Sequence, residues 1–181
     1  MAMKMPLFTA EDLEHLPDDG KRYELFDGEL IVSPAPILKH QLTSSQCHIF
    51  LAGAQLAGWG VVLAAPTEVR FNQHRVVQPD LLFIARDRLQ IIGEKAIQGA
   101  PDLVVEILSP GSRKADLGWK LTLYAQGGVP FYWVLDPVAR TVRVYRLEQG
   151  AYIAEPLLRA GHTLACPLFP GITTDVARLF P

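Results

Sequence analysis

The chain has 181 residues, 49% of them hydrophobic, and carries 17 Lys and Arg against 19 Asp and Glu for a formal charge of −2. This length suits one domain that buries roughly 70% of the surface its unfolded form exposes, and the near balance of charge excludes a protein that coats nucleic acid by bulk charge alone. Two cysteines, Cys47 and Cys166, fit neither a metal-ligand spacing nor a disulfide framework, and read as reduced thiols of a cytoplasmic protein.

A short helix is expected from Ala10 to Leu16, capped by the Thr9 hydroxyl and stopped by Pro17 and Gly20. Asp27-Gly28 between apolar runs predicts a hairpin, because both residues tolerate positive φ. Pro34 and Pro36 break the chain, and a helix is expected from Lys39 to Ala57 with a stripe of Leu42, Cys47, Ile49, Phe50 and Leu56. Gly58 and Gly60 end it. Strands are expected over Val61–Ala65, Thr67–Phe71 and Val76–Ile84, followed by a polar connection from Arg86 to Gly99. Leu103–Leu108 is apolar except for one acid, the pattern of a strand covered on both faces. A second long helix is expected from Lys114 to Gln126, with a stripe of Leu117, Leu121 and Tyr124 and an end at Gly127-Gly128. Strands Phe131–Leu135, Thr141–Leu147 and Tyr152–Leu158 follow, then a last helix capped by Thr173 or Thr174. Together these make an α/β (α+β) protein: a central mixed sheet flanked by helices, with leading and trailing β-hairpins. No apolar run approaches the length of a membrane span, and Met1–Phe8 lacks the pattern of a secretion signal.

Chemistry concentrates in two acids. Asp80 interrupts Val76–Ile84 and Glu106 interrupts Leu103–Leu108. A carboxylate in such company is costly to bury unless paired or bound to a metal. On neighbouring strands the two would lie roughly 5 Å apart, and a hard cation such as magnesium or manganese would relieve their repulsion. The alternative is that each pairs with an arginine such as Arg70, Arg75 or Arg86. Lys120 borders the buried face of the second helix, either pointing toward the acids or forming a solvated pair with Asp116. Glu24 is either a third ligand or an outward strand residue, and His40 either contacts a phosphate, orients an acid or simply opens its helix. Phosphate-loop, H-E-x-x-H and G-x-S-x-G motifs are absent.

One ordered series is more specific. It runs from Tyr23-Glu24-Leu25 and Gly28-Glu29-Leu30 through Ser33-Pro34, His40 and Gln78-Pro79-Asp80. It continues through Pro101–Pro110, Asp116, Lys120, Tyr124, Gly128-Val129, Tyr132-Trp133 and Asp136-Pro137. In this order the chain resembles the Uma-type restriction endonuclease family of the PD-(D/E)XK nuclease superfamily, over nearly its whole length. The resemblance implies a restriction-endonuclease-like domain over residues 1–181, with a helix and hairpin at 1–36, a nuclease core at 37–137 and a hairpin and short helix at 138–181. It implies a DNA endonuclease with Asp80 and Glu106 as catalytic residues and as ligands of Mg²⁺ or Mn²⁺, and a homodimer. The sequence departs from the superfamily pattern at Leu108, where a lysine is expected. Lys120 is the candidate to supply that charge, Lys114 the second. Arg113 and Lys114 are candidate grips for flanking phosphates. The rival reading is the same fold with an inactive site, used to bind protein or nucleic acid.

Overall fold

The computed structural model describes residues 7–34 and 37–181. The readings on Met1–Pro6 and on Ala35-Pro36 fall outside them. In chain order the elements are α1 (Ala10–Leu13), β1 (Arg22–Phe26), β2 (Glu29–Ser33), α2 (Leu38–Leu56), β3 (Gly60–Ala64), β4 (Val69–Asn72), β5 (Arg75–Val77) and β6 (Leu81–Ala85). There follow β7 (Ile97–Gln98), β8 (Leu103–Ile107), α3 (Arg113–Asp116), α4 (Trp119–Gly127), β9 (Phe131–Asp136), β10 (Thr141–Glu148), β11 (Ala151–Ala154), β12 (Thr163–Ala165) and β13 (Thr173–Asp175).

The fold is mixed α+β. A six-stranded sheet has the order β11-β10-β9-β8-β6-β3, antiparallel except where β8 runs parallel to β9. A five-stranded sheet has the order β2-β1-β5-β4-β7, and β12 pairs with β13 in a separate ribbon. Burial alternates along the central strands. Phe83, Leu103, Val105 and Trp133 point to one side, where they pack with Cys47, Leu51 and Ala54 of α2. Leu82, Val104, Tyr132 and Val134 point to the other, with Leu123 and Tyr124 of α4. Period-2 alternation thus divides the sheet between two helical layers.

The Thr9 cap is reciprocal: its hydroxyl accepts from the Asp12 amide while the Asp12 carboxylate accepts from the Thr9 amide, and α1 stops at Leu13, short of the expected Leu16. The β1–β2 hairpin turns at Asp27 and Gly28, with φ of 51° and 81°. Four expectations fail. Val76–Ile84 is two strands in two different sheets. Pro79 lacks the N–H a ladder needs and holds Gln78 extended, so Gln78-Pro79-Asp80 becomes a crossing between β5 and β6. The second long helix is two pieces. Gly118 adopts φ −119° and ψ −107°, and a Cβ there would meet the Lys114 carbonyl oxygen at 2.6 Å. The last helix is a strand, β13, followed by a 3₁₀ turn, Val176–Leu179, whose cap is Asp175. Finally, α2 buries His40, Thr43, Cys47, Leu51 and Ala54, whereas Leu42, Ile49 and Leu56 are 46%, 64% and 89% exposed. The expected stripe mixes the two: Cys47 is buried and Phe50 packs on the core, while Leu42, Ile49 and Leu56 lie on the outer face.

Candidate functional site

Arg22 and Glu24 sit two apart on β1, so strand alternation sends both side chains to one face. Glu106 shares a face of β8 with Val104, the α4 side. Because Leu81 pairs with Val105, Asp80 arrives opposite Glu106 as it enters β6. The break at Gly118 lets α4 start a new direction, and Lys120, Leu123 and Tyr124 are its buried residues, in place of the expected Leu117–Leu121–Tyr124 stripe. Lys120 and Tyr124, four residues apart, share one helix face.

These elements converge on four carboxylates that are at most 3% exposed: Glu24, Asp80, Glu106 and Asp116. Lys120 Nζ lies 3.0 Å from Glu106 Oε1, 3.0 Å from Glu24 Oε1 and 3.6 Å from Asp116 Oδ1. The Tyr124 hydroxyl donates to the same Glu106 Oε1 at 2.7 Å. Glu24 Oε1 also accepts from the Gln78 amide at 3.0 Å, so Glu24 is an inward residue. Asp80 has its own retinue. Arg22 Nη2 donates to Oδ1 at 2.9 Å, and Oδ2 receives the Ile107 amide at 2.7 Å and lies 3.0 Å from His40 Nε2. A cavity of about 170 Å³ opens onto Arg22, Glu24, His40, Asp80 and Lys120, walled on one side by the Ser109–Ser112 loop.

The acids are held in opposite states. Burial works to raise the Asp80 pKa, but the His40 hydrogen bond and the Arg22 charge outweigh it and hold the group down at about 2. For Glu106 burial wins: against the opposing Lys120 charge, and helped by the carboxylates of Asp116, Asp80 and Glu24, it pushes the pKa up to about 8. Asp116 is raised too, again by burial, and among the described residues neither of its oxygens has a hydrogen-bond partner. Lys120 moves up despite burial, because Glu106, Glu24 and Asp116 surround it.

The other expected residues are placed as follows. The alternative of an arginine partner holds for Asp80, through Arg22 in place of Arg70, Arg75 or Arg86, and not for Glu106, which pairs with Lys120. Arg70 meets Glu68 and Glu14, and Arg75 meets Asp27. The Asp116–Lys120 pair is buried, not solvated. Arg113 lies outside the cavity, 2.8 Å from Asp136, and Lys114 is exposed. Leu108 faces away from the cavity into a neighbouring groove. Sequence reasoning missed Arg22, although its two-residue spacing from Glu24 was the available signal, and it missed the hydrogen bond from Tyr124, taken only for packing.

The sequence matches the Uma2 family profile, described as "Putative restriction endonuclease", over residues 10–177. The chain belongs to this family. A crystal structure described as a putative nuclease belonging to DUF820, from Anabaena variabilis ATCC 29413, superposes with a TM-score of 0.77 at 22% identity, covering 96% of this chain and 97% of that one. The two chains thus share one fold. No curated protein matches the chain. Among the described residues no helix is long and apolar enough to cross a membrane.

The donor set is of the chemical type a divalent ion takes. Four buried carboxyl groups face two cations, Arg22 and Lys120, and among the described residues neither oxygen of Asp116 accepts a hydrogen bond, its ion pair being Lys120 at 3.6 Å. All the acidic donors are hard oxygens, the type magnesium and manganese prefer. The arrangement is a closed one: among the described residues no three His, Cys, Asp or Glu side chains converge at a ligating distance, because Arg22 and Lys120 stand among the acids.

Proposed function

We propose that this chain is a divalent-metal-dependent phosphodiesterase, a DNA endonuclease, with Asp80 and Glu106 as the ligands of Mg²⁺ or Mn²⁺. The observation that carries the reading is a cluster of four buried carboxyl groups around two cations, with Glu24 and Asp80 of that cluster lining a cavity. When bound, the ion would acidify water and neutralise charge on the scissile phosphate. Asp80, already ionised, is the anchor, and His40 and the Ile107 amide fix its orientation. Glu106, whose pKa burial raises, would be the second ligand, since a bound cation would favour its ionised form. Lys120 lines the cavity 3.0 Å from Glu106, where its ammonium would stabilise charge developing on the phosphate. It would thereby supply what Leu108 cannot. Arg22, on the same wall, adds a second cation for the phosphate.

Cutting both strands of a duplex calls for two copies, and α2 offers a surface for a second one. Leu38, Leu42, Ile49 and Leu56 are exposed at spacings of four, seven and seven, the repeat of a helix-pairing seam, on a helix whose only Lys, Arg, Asp or Glu is Lys39. Sedimentation of Ile49→Glu beside wild type tests this, and an unchanged mass would sink it.

The decisive experiment for the activity is nicking of supercoiled plasmid with Mn²⁺ or Mg²⁺, beside calorimetric titration of Mn²⁺. We expect both cutting and binding. A second reading, an inactive binding module, draws on Leu108 and on the cations among the acids. A folded protein that binds no Mn²⁺ and cuts neither DNA nor RNA would favour it.

A further inference from the structure

A second concavity, a groove of about 540 Å³, lies on the far side of the Ser109–Ser112 loop from the acidic cavity. Adjacency follows from the chain itself. Leu108 and Arg113 line the groove, while their immediate neighbours Ser109 and Ser112 line the cavity. The loop is therefore a shared wall, stiffened by hydrogen bonds between the Ser109 and Ser112 side chains and the Ser109 and Ser112 amides.

The groove has a charge of its own. Arg113, Arg143 and Arg159 line it against a single acid, Asp136. That acid is already committed: Arg113 Nη1 donates to it at 2.8 Å, and the Val138 and Ala139 amides donate to its other oxygen at 2.9 Å each. Arg143 spends one N–H on the Glu155 carbonyl at 2.9 Å, which holds the guanidinium in place. Among the described residues no carboxylate forms a salt bridge with Arg143 or Arg159. Leu108 and Tyr145, whose ring is stacked on Tyr132 at 5.8 Å, line the groove beside them. A groove with two guanidiniums that no carboxylate neutralises, beside apolar and aromatic side chains, matches a chain that alternates phosphates with flat, weakly polar bases.

We propose that this groove is a second nucleic-acid subsite, which grips the phosphates of a single strand as it leaves the acidic cavity over the Ser109–Ser112 wall. Arg143 and Arg159 are the phosphate contacts, and Arg113, bound to Asp136, forms the edge. The proposal rests on the phosphodiesterase reading for its direction of travel, but binding tests it without cleavage. It explains how a chain of net charge −2 holds a polyanion: the positive charge is local.

The experiment is fluorescence anisotropy of the full chain, in EDTA so that nothing is cut, with a short labelled single-stranded DNA across a range of KCl concentrations. Arg159 is exposed, so Arg159→Gln should melt like wild type. We expect it to weaken binding and to lower the magnitude of the log K against log[salt] slope by about 0.7, one phosphate contact on a single strand. Arg143→Gln/Arg159→Gln should lower it by about 1.4. A matching RNA strand should show the same loss, since the contact is to phosphate. Folded variants with wild-type affinity and slope would overturn the subsite, as would wild type that binds an uncharged-backbone analogue as tightly as DNA. If the slopes fall as expected while wild type cuts nothing with any metal, the groove stands and the proposed activity falls.

Discussion

Asp80 and Glu106 are alike in the sequence, each a lone acid in an apolar run, yet the protein treats them in opposite ways. Asp80 meets an arginine, a histidine and a backbone amide, and is held ionised. Glu106, nearly opposite on the next strand, meets a lysine shared with two more carboxylates and a tyrosine hydroxyl, and retains a proton well above the usual range for a carboxyl. Burial is near total at both and pushes both pKa values up, so burial alone does not explain the difference. The ratio of donors and cations to competing acids does. One half of the site favours the anion and the other favours the proton.

The largest way to break this contrast is to remove Lys120. Lys120→Met strands Glu24, Glu106 and Asp116 without their shared cation, and we expect a loss of about 3–5 kcal/mol in urea unfolding, the cost typical of orphaning buried charge. Proton uptake by Glu106 should soften it, and Lys120→Met/Glu106→Gln should recover part of it in a double-mutant cycle. If Lys120 also serves the phosphate, cutting by the fraction that folds should fall by about 10²–10³. A stable Lys120→Met protein of unchanged rate would place the lysine outside both structure and mechanism.

Asp80→Asn sharpens the other half. It keeps the shape but removes the group that is ionised without help, so Mn²⁺ affinity in calorimetry should drop at least about tenfold. Equal affinities would show that Asp80 serves only Arg22 and His40.

A smaller effect separates the halves by pH, in metal-free protein. Glu106 has a folded pKa near 8, above its unfolded value, so its contribution is fully present below about pH 4.5 and is lost as pH rises toward about 8. One proton limits the slope to about 1.4 kcal/mol per pH unit. Asp80 runs the other way: its contribution is present above its unfolded value and is lost as pH falls toward about 2. Melting temperature measured against pH should therefore decline from mildly acidic to mildly alkaline conditions, and Glu106→Gln should flatten the decline. A decline that persists undiminished in Glu106→Gln belongs to another group.

The mildest change is Tyr124→Phe, which deletes one hydrogen bond to Glu106 and leaves the ring in place. It should cost about 1 kcal/mol in chemical denaturation while preserving Mn²⁺ binding. Loss of metal binding would make the hydroxyl part of the ligand sphere's support.

Much of this molecule was legible before any coordinates. The Asp27-Gly28 turn, the Thr9 cap and the apolar run around Glu106 are governed by local rules of φ, hydrogen bonding and periodicity, and those rules act within a few residues. The ordered series from Tyr23 to Asp136-Pro137 also carried the family. Tertiary structure decided the rest. It chose which of two helical stripes on α2 faces the sheet, since both satisfy the same period and only the partner surface tells them apart. It split Val76–Ile84 at Pro79 between two sheets, which brought Asp80 against Arg22, fifty-eight residues earlier in the chain. It broke the second helix at Gly118, which aimed Lys120 and Tyr124 at one oxygen of Glu106. Above all it decided the charge on the two acids. The sequence determined that carboxylates would be buried at these positions. Which one stays ionised depends on a count of neighbours drawn from β1, α2, α3 and α4, because in a low-dielectric interior protonation answers to distance in space and not to distance along the chain.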